Sequence, residues 1–367
     1  MENTSICLSD NLKSYFENKF ILKETHKELF REDSSAMYWE QFLEKSSGET
    51  FEIIRKFYPQ LYFQIEYGID KSQDYINLVL KGKPLTDLKI TLNLNAPKEI
   101  SVKIYNSVYG KIPVIIIPDE EDFRTVIQSL LHKNNPVPVS LAMGAVLIKG
   151  INNWSRIHDL KNNWLKNNPF GDWNSEFSLN IIPNHTLYKD RIIILSTKPY
   201  SNVSADKLGI SEKDWNLFSL SIRLEHECTH LYTLKKYGCA SNNLHDELIA
   251  DYIGITKTYG SYNKVWMLQF MGLEEYPKYR TGARLENYFP KSEFSEKDFK
   301  ELIFYIKNAI ENISAFDTIV GKIKSPADQI CRIQSLCETN LIQLSSENEL
   351  NLITERYNRL YAQNENN

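Results

Sequence analysis

Two histidines stand four residues apart, His226 and His230, with Glu227 directly after the first, in the run Arg223-Leu224-Glu225-His226-Glu227-Cys228-Thr229-His230. An α-helix turns about 100° per residue, so positions four apart share a face and can offer both imidazoles to one metal ion. Glu227 sits one position round the helix, where its carboxylate reaches a water on that metal rather than the metal itself. That is the general-base position of an H-E-x-x-H hydrolase. A catalytic zinc takes three protein ligands and keeps a fourth position open. Glu247 begins an E-x-x-x-D that ends at Asp251 and is the expected third ligand. Asp251, one turn on, is placed to accept from the other ring nitrogen of a ligating histidine and so fix its tautomer. His245 and Asp246 are rival third ligands, and His245 has the alternative role of stabilising charge on a substrate oxygen. Cys228 lies between the histidines but on the opposite side of the helix, and reads as core.

Five-residue motifs arise by accident, in roughly one comparable chain in a hundred for this one, so the flanking sequence matters. Ser211 is a natural N-cap with Asp214 three residues on. Trp215, Leu217, Phe218, Leu220, Ile222, Leu224 and Leu231 supply apolar positions, and Gly238 supplies a stop. The histidine pair therefore falls inside a helix. A second helix, opened by Asn242 or Asn243 and closed near Gly260, carries Glu247 and Asp251. The metzincin pattern is excluded, because Thr233 and Lys236 stand where it needs Gly and His.

H-E-x-x-H followed by E-x-x-x-D resembles the signature of the gluzincin metallopeptidases, of which thermolysin-like enzymes are one branch. The Ala250-Asp251 ending is similar to the E-x-x-A-D of the membrane-embedded prenyl-protein peptidases. The stretch from Asn242 to Ile255 also resembles uncharacterised bacterial zinc-dependent peptidases. The match covers about 40 of the 367 residues. It implies that His226, His230 and Glu247 ligate one zinc ion per chain, that Glu227 is the base, and that Asp251 orients a ligand from behind. Two departures stand out. The chain has no membrane spans, and Glu247 follows His230 by 17 positions, slightly short of the thermolysin-like spacing.

The remaining sequence frames this site. A chain of 367 residues exceeds the usual single-core size, so several subdomains are expected. With 43 basic and 47 acidic residues and a formal charge of −4, nothing points to a nucleic-acid or membrane partner. Residues 1–13 lack a basic region followed by an apolar one, so no secretory signal is expected. The longest apolar run, Val137 to Ile148, is interrupted by Pro138 and Ser140 and is too short to span a bilayer. Five scattered cysteines, Cys7, Cys228, Cys239, Cys331 and Cys337, read as reduced thiols in a cytoplasm.

The expected fold is α+β, a zincin-like core with a small mixed sheet between helical ends. Its regions are a helical segment 1–88, an α/β segment 89–200, the zinc-site helices 201–260 and a helical segment 261–367. Ile90 to Leu94 alternates like a strand, Val114 to Ile117 is a β-branched run between prolines, and Asp119 to His132 reads as a helix. Arg191 to Ser196 is the best strand candidate. It is either an edge that pairs with an extended substrate or, given three consecutive isoleucines, a buried central strand. Gly144 to Gly150 is a second edge candidate. Tyr276, Tyr279, Arg280 and Arg284 are candidate donors to the oxyanion of a hydrolytic transition state. The chemistry expected is hydrolysis of a peptide or protein substrate. The alternative is a zinc-binding regulatory or interaction protein without catalysis, although a purely structural site has no use for Glu227 and tends to close its fourth position.

Overall fold

The computed structural model describes residues 8–21, 34–45, 49–239, 243–289, 294–346 and 350–365. Cys7 and Asn242 lie outside them. The chain divides into two compact units, Met1–Phe30 with Pro199–Asn367, and Arg31–Lys198. Helix α1 (Asp10–Tyr15) opens the first unit, which resumes only at Pro199.

The second unit holds helices α2 (Ser34–Lys45) and α3 (Thr50–Phe57), strands β1 (Ser101–Ser107) and β2 (Gly110–Ile117), and helix α4 (Glu120–Leu131). Strand β3 (Ala145–Asn152), helix α5 (Trp154–Asn167) and strand β4 (Lys189–Ser196) complete its main elements. The four strands form one mixed sheet in the order β1-β2-β4-β3, antiparallel at both edges and parallel between β2 and β4. Ile192 to Leu195 are fully buried at its centre, so the isoleucine run is an interior strand and not an edge. The edge beside it is β3, the second candidate. Asp119 caps α4 as its composition predicts, accepting from the Asp122 amide at 2.9 Å. Ile90 to Leu94 is not a strand. The amides of Thr91 and Leu92 both turn to the Tyr62 carbonyl, at 2.9 and 3.3 Å, so alternation there has no strand partner. Near the start of β4, Asp190 is fully buried and accepts from Trp39, Tyr58, Asn153 and Arg156. That pairing makes its burial tolerable.

The first unit is helical. It contains α6 (Glu212–Tyr237), α7 (Leu244–Tyr259), α8 (Lys264–Met271), α9 (Glu296–Val320), α10 (Pro326–Cys337) and α11 (Leu350–Glu365). Both ends of α6 and α7 follow their sequence signals. Ser211 and Asn243 are the N-caps, each accepting from the amide three residues on at 3.1 Å, and Gly238 and Gly260 close the helices with positive φ. Every residue of α7 from Leu244 to Thr256 is buried. The two helices approach closely where α7 carries Gly254. A Cβ there would stand 2.8 Å from the Ile222 carbonyl oxygen of α6. Among the described residues, no helix is long and apolar enough to cross a membrane.

Candidate metal centre

The facing surfaces of α6 and α7 bring His226, His230 and Glu247 together. His226 Nε2 lies 3.0 Å from His230 Nε2, and the two carboxylate oxygens of Glu247 each approach one of them, Oε2 standing 3.4 Å from His226 Nε2 and Oε1 3.4 Å from His230 Nε2. Donors held at 2.0–2.1 Å around a tetrahedral zinc stand about 3.3 Å apart, so the spacing fits such an ion. Two imidazole nitrogens and one carboxylate oxygen are also the donor set that zinc takes in hydrolytic sites. The three side chains are 8, 12 and 6% exposed.

Behind the donors lies a ring of carboxylates. His226 Nδ1 is 2.8 Å from Asp251 Oδ1, which directs its Nε2 inward as the E-x-x-x-D spacing predicts. His230 Nδ1 is 3.1 Å from Asp246 Oδ2, close in distance though poorly aligned for a hydrogen bond. Asp246 thus stands beside His230 on the side away from the three converging donors. His245 is removed from the site: its Nε2 is 3.0 Å from the Leu336 carbonyl oxygen and its ring packs edge-on against Phe20. Cys228 is fully buried in the core, as its helix position predicts.

Two further residues complete the ring. The Tyr200 hydroxyl donates to Asp251 Oδ1 at 2.5 Å and lies 3.1 Å from His226 Nδ1. Its amide donates to Ser219 Oγ on α6 at 3.0 Å. The next residue, Ser201, has φ 52° and ψ 22°, a left-handed conformation that costs about 1–3 kcal/mol in a non-glycine residue and tends to occur at functional sites. No local pattern marked Tyr200. Arg284 enters from the stretch after α8, and its Nη2 donates to Glu247 Oε2 at 2.6 Å. Its Nη1 donates to Tyr200 Oη at 2.8 Å and to Asp251 Oδ1 at 3.1 Å.

Of the four candidate oxyanion donors, Arg284 alone is seen bonded to the site carboxylates. Arg280 is bound to Glu274 and to the Gln269 carbonyl, and Tyr279 donates to the Ala283 carbonyl. Tyr276 is exposed, with Lys307 Nζ over its ring. The Tyr288 hydroxyl, 3.2 Å from Arg284 Nε, also lies within the electrostatic reach of Glu247.

The charges explain how so many carboxylates are buried. Burial opposes ionisation of Glu247, but His226, His230 and Arg284 outweigh it and hold the carboxyl well below the usual range. Asp251 is likewise held low, burial being outweighed by Arg284 and His226. Burial lifts Tyr200 well above the ordinary phenol range and keeps it a neutral donor. Burial also raises the Glu227 carboxyl, against the opposing pull of His226 and His230.

Neither a curated protein nor a solved structure matches the chain. One family model does, over residues 3–348, and the chain accordingly belongs to the family of unknown function DUF7005.

Proposed function

We propose that this chain is a zinc-dependent hydrolase that cleaves peptide bonds, built on a zincin-like helix pair. The observation that carries the reading is the convergence of His226, His230 and Glu247, from two separate helices, at separations of 3.0–3.4 Å, with Glu227 one position beyond the first ligand. His226, His230 and Glu247 would hold the ion. When bound, zinc would supply Lewis acidity that lowers the pKa of a water molecule at the site. Glu227 would serve as general base toward the attacking water and return the proton to the leaving amine. Asp251 and Asp246 fix the two histidines from behind, so that each presents Nε2. A cytoplasmic setting accords with the cysteines, since none of the four described is in a disulfide.

A second reading, a zinc-binding protein without catalysis, draws support from burial: Glu227 is only 9% exposed. Incubation of wild-type protein with a diverse peptide library separates the two. Cleavage abolished by a chelator and restored by zinc supports the hydrolase. A protein that retains zinc but cleaves nothing in the library supports the second reading.

A further inference from the structure

A cleft of about 380 Å³ opens where the C-terminal end of α7 meets the link between α9 and α10. Thr256, Lys257, Lys322, Lys324 and Ser325 line it. Thr256 is 2% exposed, and its hydroxyl is the one polar side-chain atom of these five residues that is buried without a partner. We propose that the cleft binds a soluble, phosphate-bearing small molecule, whose anionic group is held by Lys257, Lys322 and Lys324 and accepts a hydrogen bond from Thr256 Oγ1.

A threonine within a helix can return its hydroxyl to the carbonyl four residues back, as Thr229, Thr339 and Thr354 do here at 2.8, 2.7 and 3.1 Å. Thr256 does not, and its own carbonyl is taken by the Gly260 amide at 2.9 Å. A buried hydroxyl left unbonded is costly, so its presence on the wall of a cleft fits a donor kept for a ligand. The surroundings set the charge of that ligand. Lys257 stands 3.9 Å from Glu225, while Lys322 and Lys324 are exposed and form no ion pair among the described residues. Helix α10 begins at the same wall, with Ser325 as N-cap and Pro326 in its first turn, and brings the positive end of its dipole there. The acidic residue of that turn, Asp328, is already engaged by Arg332, Tyr357 and the Lys324 amide. Three ammonium groups, a helix N-terminus and a neutral hydroxyl donor suit a phosphate, whose oxygens accept from all of them. A single phosphate fills only part of the 380 Å³, which leaves room for the molecule that carries it. Glu247 lies nine positions back on α7, about 13 Å along the helix axis, so this site stands apart from the metal centre.

The test titrates inorganic phosphate and pyrophosphate into the full chain by calorimetry at about 0.15 M salt, where loose attraction to surface lysines is largely screened. Wild type is compared with Thr256→Val and with the double variant Lys322→Ala/Lys324→Ala, and circular dichroism checks folding. The expected result is saturable binding to wild type, roughly tenfold weaker in Thr256→Val and roughly 10- to 100-fold weaker in the lysine variant. If neither anion binds wild type, the proposal is overturned. Equal affinity in all three proteins also overturns it, because the anion then sits elsewhere, at the metal centre for example. Binding only to vesicles containing phosphatidic acid, with neither soluble anion bound, overturns the soluble ligand in favour of a lipid headgroup. Should Thr256→Val not fold, the lysine variant decides alone, since it is altered only at exposed positions. Wild-type affinity in that variant rejects the site.

Discussion

Glu247, Asp246 and His245 sit side by side at the start of α7, and each has a different consequence when altered. Glu247→Ala removes a donor atom and should abolish tight zinc binding. His245→Ala should retain zinc, because that ring bonds the Leu336 carbonyl and packs on Phe20. Zinc content after gel filtration distinguishes them, and the reverse pattern would move the site. Asp251→Asn and Asp246→Asn should each weaken zinc affinity roughly 10- to 100-fold, since each loosens one histidine without removing a ligand. Chelator competition measures that loss, and wild-type affinity in both would leave the outer ring without a role. At this scale the sequence was legible where chemistry is local: the His226–His230 pair and the Glu247–Asp251 pair follow from helical spacing. Tyr200 was not, because its bond to Asp251 spans 51 residues and no short pattern encodes it.

Between elements, the precision of the site depends on how closely α6 and α7 approach. Gly254→Ala would press a methyl carbon to within 2.8 Å of the Ile222 carbonyl and 3.2 Å of its Cγ2. Such overpacking costs about 1–3 kcal/mol. The variant should melt at a lower temperature and bind zinc less tightly, as followed by thermal denaturation with and without the ion. An unchanged melting curve would show that the helices have slack. Helix ends were readable from Ser211, Gly238, Asn243 and Gly260, whose capping is a matter of neighbouring residues. Strands were read less well. Ile90 to Leu94 alternates but finds no partner strand, whereas Arg191 to Ser196 lies between β2 and β4's other neighbour, β3. Pairing is a long-range property, and alternation alone does not reveal it.

On the scale of the molecule, the helical unit rests on a second buried ion network behind α7. Arg332 bonds Asp328 at 2.9 Å and Tyr252 at 3.0 Å, and pairs with Asp317 at 3.3 Å, so α7, α9 and α10 share one cation. Arg332→Ala leaves two buried carboxylates without it and should cost about 3–5 kcal/mol. A urea midpoint unchanged from wild type would show that the network contributes little. Composition foretold an α+β chain with helical ends, but not this network, whose members are drawn from positions 252 to 332.

Glu227 is assigned proton transfer and no ligation. Glu227→Gln keeps the size of the side chain and most of its hydrogen bonding while removing the base. The decisive measurement is zinc per chain and peptide cleavage, in wild type and this variant side by side. The predicted result is one zinc per chain in both and cleavage in wild type alone. A variant that holds its zinc and cleaves as fast as wild type contradicts the mechanism.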